Sequence, residues 1–183
     1  QEYLSSLRGK TAAVLGIGVS NTPLIELLCR NGVQVVACDK KSREDLGARA
    51  EQLEALGAHL HLGAGYLDDL RADVVFRTPG MRPDVPALLE ARSRGSVVTS
   101  EMEIFFEVCP CTIIGVTGSD GKTTTTSIIA EMLCAAGKTV YLGGNIGHPL
   151  LCDAERMRPE DFAVVELSSF QLLDMKRSPH IAV

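Results

Sequence analysis

Short apolar runs alternate with helical segments along the chain, and glycine follows most of the helical segments. The runs Lys10–Gly16 and Gln34–Asp39 predict strands. Between them, Pro23–Asn31 predicts a helix, because Pro23 suits a first helical turn and Gly32 suits the position after the last. Such a β-α-β order favours a parallel sheet with helices on its faces. The sequence therefore predicts an α/β protein.

The alternation continues to the last residues. The expected elements are helices at Ser42–Leu56, Asp84–Arg94 and Lys122–Ala136, strands at His59–Leu62, Asp73–Thr78, Ser96–Thr99, Thr112–Thr117, Thr139–Leu142 and Phe162–Leu167, and the start of a strand at Pro179–Val183. A length of 183 residues allows two domains. We expect a Rossmann-like parallel-sheet domain over residues 1–93, and part of a P-loop-type ATP-binding domain over residues 94–183.

Composition limits the partners and the compartment. Eighteen basic and 23 acidic residues give a net charge of −5, which argues against a general nucleic-acid binder. We expect no membrane partner, because no run approaches the roughly 20 apolar residues of a membrane span. The first residues do not resemble a signal peptide, and the six cysteines include no CxxC pair, so we expect reduced thiols in the cytoplasm. A metal or redox site at Cys109-Pro110-Cys111 is an alternative, although a single CxC pair is a weak pattern.

The strongest chemical signal is the segment Thr117–Thr124, which reads TGSDGKTT after an apolar strand and before a helix. Glycines let backbone N–H groups approach phosphate oxygens, and a helix N-terminus adds partial positive charge. Lys122 can reach terminal phosphates, and the Thr123 hydroxyl can bind Mg²⁺. The segment differs from GxxxxGK[ST], because Val116 stands five residues before Gly121. An ordinary glycine turn before a helix is the alternative.

Two further segments follow strands and favour the same site. The apolar run Phe162–Val165 ends in Glu166, where an acid in P-loop folds faces the nucleotide and holds Mg²⁺. Gly143–Gly147 reads GGNIG and suits a tight loop near a ligand, although a plain turn would also explain it.

The first strand is followed by Gly16–Asn21, which reads GIGVSN and approximates the GxGxxG dinucleotide fingerprint. Asn21 stands where the third glycine would allow close helix–strand packing. Asp39 ends the second strand, about where a ribose-binding acid would lie. An NAD site and a site for another nucleotide's diphosphate are both compatible with this pattern. Arg77 and Arg82 flank the turn Thr78-Pro79-Gly80 at the strand edge where ligands bind in parallel sheets, but a solvated surface arginine is the more common case.

Together TGSDGKTT, GGNIG and ELSSFQL (residues 166–172) resemble the Mur ligases of peptidoglycan synthesis. ELSSFQL is most similar to the members that join D-glutamate to UDP-N-acetylmuramoyl-L-alanine. GIGVSN, Asp39 and Thr78-Pro79-Gly80 also fit their uridine-diphosphate-binding domain. The resemblance implies ATP and Mg²⁺ as cofactors, and an acyl phosphate that the D-glutamate amine attacks. It covers only the first part of a three-domain architecture, so we expect this chain to be a fragment that is not competent for catalysis alone.

The resemblance also implies roles for individual residues. Lys122, Asn145 and Glu166 would be catalytic, and Thr123 and Glu166 would bind the metal. The ATP phosphates would be held by Gly118, Ser119, Asp120, Gly121, Lys122, Thr123 and Thr124. The substrate would be bound by Val19, Ser20, Asp39, Lys40, Thr78, Pro79, Gly80, Ser168, Ser169 and Gln171. A related amide ligase that extends folate with glutamate, and a non-catalytic module that binds NAD at Gly16–Asn21, remain alternatives.

Overall fold

The computed structural model describes residues 2–18, 21–146, 149–173 and 175–183. The chain divides into two compact units, residues 1–101 and 102–183. This division lies later than the expected boundary at residue 93. The reason is that the strand Val97–Thr99 pairs in parallel with Val74–Phe76 and therefore completes the first sheet.

The first unit is a five-stranded sheet in which every pairing is parallel. Its elements in chain order are α1 (Glu2–Ser6), β1 (Thr11–Leu15), α2 (Thr22–Arg30), β2 (Gln34–Asp39), α3 (Arg43–Leu46), α4 (Ala48–Ala55), β3 (His59–Leu62), β4 (Val74–Phe76), α5 (Pro86–Ser93) and β5 (Val97–Thr99). The strand order is β3-β2-β1-β4-β5. This order reverses between β1 and β4, which is the position where ligands bind in Rossmann-like sheets.

The core of the first unit lies on its central strands. Val14, Leu15 and Phe76 on β1 and β4 are fully buried, as expected for strands covered on both faces. The predicted helix Ser42–Leu56 is instead two helices, α3 and α4. Gly47 separates them with φ 53° and ψ −134°, a conformation outside the helical region.

The second unit is a four-stranded sheet of order β7-β8-β6-β9, again with parallel pairings. Its elements are α6 (Glu101–Val108, whose first residue lies in the first unit), β6 (Thr112–Val116), α7 (Lys122–Ala135), β7 (Val140–Gly144), the 3₁₀ helix η1 (Leu150–Cys152), β8 (Phe162–Glu166), α8 (Ser169–Leu172) and β9 (Ile181–Ala182). Helix α7 packs on β6, β7 and β8. No helix in the described part of the chain is both long enough and apolar enough to cross a membrane.

Candidate active site

Strand register brings the predicted phosphate loop, Glu166 and Asn145 to one edge of the second sheet. Val116, the last residue of β6, pairs with Glu166 on β8, and Gly144 on β7 pairs with Glu166 from the other side. The segments that leave these strands therefore start next to one another. This edge is the carboxyl end of the parallel strands, where ligands bind in α/β sheets.

The phosphate loop joins β6 to α7 through residues with left-handed backbone. Gly121 has φ 73° and directly precedes α7, and Gly118 has φ 148°, so both positions favour glycine. Ser119 and Asp120 between them are exposed. The Nζ atom of Lys122 donates hydrogen bonds to the carbonyl oxygens of Gly118 at 2.9 Å and Ser119 at 3.2 Å. The lysine thus lies over a loop that is open to solvent and precedes a helix N-terminus.

The carboxylate of Glu166 is the centre of the site. Glu166 is 3% exposed. Its Oε2 atom accepts a 2.6 Å hydrogen bond from the Thr123 hydroxyl, and its Oε1 atom accepts a 3.3 Å bond from the Asn145 side-chain amide. The backbone N–H of Asn145 also donates to the Glu166 carbonyl at 2.8 Å. A buried acid is therefore held by a hydroxyl and an amide that come from two other segments.

Gly144 explains how β7 approaches β8 so closely. Its φ of 106° favours glycine. A Cβ atom at this position would collide with the backbone oxygen of Glu166 and come within 2.9 Å of its nitrogen. The glycine is therefore needed both for its backbone conformation and for the space that sets Asn145 beside Glu166.

The polar run after Glu166 forms a helix start. Ser168 precedes α8, and its hydroxyl accepts a bond from the Gln171 backbone N–H, while Gln171 Oε1 accepts the Ser168 backbone N–H at 2.8 Å. This reciprocal pair is a capping box. Gln171 is 2% exposed, whereas Ser169 is exposed. Two of the three expected substrate residues in this run thus support the fold locally, and Ser169 faces solvent.

A second cleft, of about 220 Å³, lies in the first unit at the end of β1. Its lining residues are Gly16, Ile17, Gly18, Asn21, Asp39, Lys40, Lys41 and Thr78. The cleft lies beside the reversal of strand order and so brings together the glycine turn after β1 with the ends of β2 and β4. Lys40 is exposed at this cleft and could meet an anion.

Asp39 and Asn21 in this cleft support the backbone. Asp39 is 8% exposed, and its two oxygens accept the backbone N–H groups of Ile17 at 2.6 Å and Lys41 at 2.9 Å. The Asn21 amide donates to the carbonyls of Leu15 at 2.8 Å and Gly16 at 3.1 Å. Asn21, which stands in place of the third glycine of the dinucleotide fingerprint, therefore holds the turn after β1.

The remaining predicted residues of the first unit divide into three groups. The turn after β4 closes with the Met81 N–H donating to the Thr78 carbonyl at 3.0 Å, and Pro79 and Gly80 lie within it. Val19 and Ser20, the expected diphosphate contacts, lie outside the described residues. Arg77 is 1% exposed, which contradicts its reading as a solvated surface residue, and its Nη1 atom donates to the Met81 carbonyl at 3.0 Å. Lys41 also lines the cleft, but it was not predicted as a substrate residue. Nothing in the sequence marks it as one.

The donor atoms at the edge of the second sheet suit magnesium bound with a nucleotide. Thr123 and Glu166 offer hydroxyl and carboxylate oxygens, which are the hard ligands that Mg²⁺ prefers. Among the residues that the structure describes, no group of three or more His, Cys, Asp or Glu side chains could hold a metal. A site with few protein ligands is typical of Mg²⁺ that shares its coordination with substrate phosphates.

Residues 116–183 match the Mur ligase middle domain. The resemblance carried by TGSDGKTT, GGNIG and ELSSFQL is thereby confirmed. The match begins at the last residue of β6 and includes the phosphate loop, Asn145 and Glu166.

Whole-chain similarity points to particular members of the family. The chain is 50% identical over all 183 residues to UDP-N-acetylmuramoylalanine--D-glutamate ligase of Acetivibrio thermocellus and to the enzyme of the same name from Clostridium novyi. It spans 39% and 40% of the length of these two relatives.

A solved structure shares the fold. The UDP-N-acetylmuramate:L-alanyl-gamma-D-glutamyl-meso-diaminopimelate ligase from Neisseria meningitides superposes with a TM-score of 0.53 and 24% identity. The superposition covers 94% of this chain and 59% of that protein. The expected architecture of a Rossmann-like parallel-sheet domain followed by a P-loop-type domain is confirmed.

Proposed function

We propose that this chain carries two nucleotide sites of a cell-wall ligase that joins D-glutamate to UDP-N-acetylmuramoyl-L-alanine with hydrolysis of ATP. The second unit would bind Mg²⁺ and the ATP phosphates, and the first would bind the uridine nucleotide. The observation that carries the proposal is the contact of Thr123 and Asn145 with the buried carboxylate of Glu166 beside the phosphate loop. Identity of 50% with relatives that bear this name supports it.

The reaction would first activate the carboxylate of the substrate and then convert the activated group into an amide. The terminal phosphate of ATP passes to the carboxylate of the L-alanine moiety, which gives an acyl phosphate and ADP. The amine of D-glutamate attacks the acyl carbon, an amide bond forms, and inorganic phosphate leaves. Phosphoryl transfer of this kind depends mainly on positioning and on neutralisation of charge.

The predicted site residues of the second unit would contribute to that positioning. The N–H groups of the loop and the N-terminus of α7 would bind phosphate oxygens. Lys122 already donates to two loop carbonyls, and its ammonium would add positive charge beside the terminal phosphate. Thr123 and Glu166 would hold Mg²⁺, which, when bound, neutralises the charge that develops on the phosphate oxygens. Asn145 would fix the orientation of the Glu166 carboxylate.

The first unit would present a fixed backbone cradle. Asp39 and Asn21 hold the end of β1 and the turn after it through three hydrogen bonds to backbone groups, and Asp39 also accepts the Lys41 N–H just after β2. Val19 and Ser20 would contact the diphosphate of the substrate, and Lys40 and Thr78-Pro79-Gly80 would flank its nucleoside. We further propose that the ligase acts in the cytoplasm, which the six free thiols support.

A binding experiment tests the metal assignment on the chain as it stands. ATP is titrated calorimetrically with and without Mg²⁺ into wild type, Thr123→Val and the matched variant Thr123→Ser. We expect the gain in affinity from Mg²⁺ to fall about tenfold in Thr123→Val and to persist in Thr123→Ser, because the serine keeps the hydroxyl. An equal gain in all three proteins would contradict the role of Thr123.

A second titration tests the first unit and separates the alternatives. UDP-N-acetylmuramoyl-L-alanine and NAD are titrated separately. Saturable binding of the muramoyl nucleotide alone supports the ligase, whereas binding of NAD alone would replace it with a dinucleotide-binding module. Because the chain spans only 39–40% of the length of its relatives, we expect binding and not turnover from it. Steady ADP release with both substrates present would contradict that expectation.

A further inference from the structure

Three sulfur atoms converge in the second unit, at the end of the sheet opposite to the phosphate loop. Cys109 and Cys111 lie between α6 and the start of β6, and Met157 lies between η1 and β8. The two Sγ atoms are 3.2 Å apart, and each lies 3.9 Å from the Sδ atom of Met157. Neither the phosphate loop nor the cleft of the first unit uses these residues.

The surrounding backbone holds both sulfur-bearing segments in place. The Cys109 N–H donates to the Phe105 carbonyl at 2.9 Å, which completes the last turn of α6. The Thr112 N–H donates to the Asp161 carbonyl at 3.2 Å, and the Asp161 carboxylate accepts the Arg158 N–H at 2.9 Å. The segments are therefore linked to each other independently of the sulfur atoms. Cys111 and Met157 are buried, and the half-buried Cys109 leaves a path from solvent.

We propose that Cys109, Cys111 and Met157 form a binding site for one soft monovalent metal ion of the Cu(I) type. Thiolate and thioether sulfurs are the ligands that such ions prefer. A metal–sulfur bond of about 2.3 Å places three sulfurs of a trigonal site about 4.0 Å apart. Two of the three distances already have this value, and the Cys109–Cys111 pair has to open from 3.2 Å. Both thiols release their protons to solvent when the bonds form.

The ligand set favours a soft ion over zinc. Zinc in a structural site takes four protein ligands. The described residues include no group of three or more His, Cys, Asp or Glu side chains that could hold a metal, so the usual zinc ligand set is lacking there. The thioether of Met157 suits Cu(I), whereas the usual zinc ligands are Cys, His, Asp and Glu side chains.

The test titrates the reduced whole chain anaerobically with Cu(I) against a competing chromophoric chelator. We expect wild type to bind one equivalent, and Met157→Leu to bind at least tenfold more weakly. Met132→Leu is the matched control, because Met132 is exposed on α7, and Cys134→Ser is the control for an exposed thiol. Both controls should bind like wild type. Circular dichroism of every variant verifies that it is folded.

X-ray absorption of the wild-type complex provides a measurement that needs no variant. Three sulfur neighbours around copper are the expected result, and two would remove Met157 from the site. Equal affinity in Met157→Leu and Met132→Leu would overturn the three-sulfur site. The proposal is likewise overturned if the reduced protein binds no Cu(I), or if Cys109 and Cys111 prove to act only as a reversible disulfide. None of these outcomes depends on the proposed ligase activity.

Discussion

Replacement of Asp39 by asparagine is a direct test of how the cleft in the first unit is built. The Asp39 carboxylate is buried and accepts the backbone N–H groups of Ile17 and Lys41 on its two oxygens. Asparagine has nearly the same shape but only one oxygen. Whichever way its amide is turned, one backbone N–H will face an NH₂ group. The variant therefore removes one hydrogen bond and places two donors against each other inside the unit.

The size of the effect follows from these contacts. A hydrogen bond to a charged group contributes about 1.5–3 kcal/mol, and a buried donor left without an acceptor adds a desolvation cost. We therefore expect Asp39→Asn to lower the free energy of unfolding of the first unit by roughly 2–4 kcal/mol. At 1.4 kcal/mol for each factor of ten, that is a change of roughly 30- to 700-fold in the unfolding equilibrium constant.

Hydrogen exchange is the appropriate assay, because it reports on each unit separately. The amides of β1 should lose protection in Asp39→Asn, while those of β6 and β8 should keep theirs. The control is Asp84→Asn, which breaks an exposed pair with Arg82 and should leave the protection of β1 close to that of wild type. Unchanged protection of β1 in Asp39→Asn would refute the structural role of Asp39 and leave only its predicted role as a ligand contact.

Three other predictions test separate features. Gly144→Ala should destabilise the second unit by more than the roughly 1–3 kcal/mol expected for a positive φ alone, because its Cβ meets the backbone of Glu166. Gly137→Ala, where φ is also positive but the space is open, is the control in urea denaturation. Burial raises the pKa of Cys38 to about 12, so wild type should lose stability from pH 9 to 12, where the unfolded thiol ionises first, and Cys38→Ala should lose less. Lys122→Ala should abolish ATP-phosphate affinity with little change in melting temperature, because its two hydrogen bonds are exposed.

Much of the secondary structure follows from local sequence. Continuous apolar runs identified β1, β2, β6 and β8 to within a residue or two, because parallel strands buried on both faces need apolar residues throughout. The break in the helix at Gly47 was not predicted. A single glycine within a helical pattern can lie inside a helix or end it, and its backbone conformation decides which. Strand β5 joins the first sheet through pairing with β4, a contact that the spacing of residues does not reveal.

The two predicted sites differ in how much the sequence could disclose. In the second unit, the functional residue types directly follow strands, so a parallel sheet necessarily brings them to one edge. In the first unit, the sequence predicted Asp39 as a ligand contact and Asn21 as a departure from the dinucleotide fingerprint. The side chains of both residues bind the chain's own backbone. Ser168 and Gln171 are similar, because a capping box and a substrate contact use the same polar residue types. Only three-dimensional contacts separate the two roles.

The register of β8 determines whether the second site exists at all. Glu166 meets both Thr123 and Asn145 because it pairs with Val116 on one side and with Gly144 on the other. A shift of one residue would turn Glu166 to the opposite face of the sheet and leave the hydroxyl and the amide without their shared acceptor. Gly144 fixes this register, since any larger residue would force β7 away from β8 at the point where Asn145 begins its turn. The chemistry of the site therefore depends on a residue that contributes no functional group.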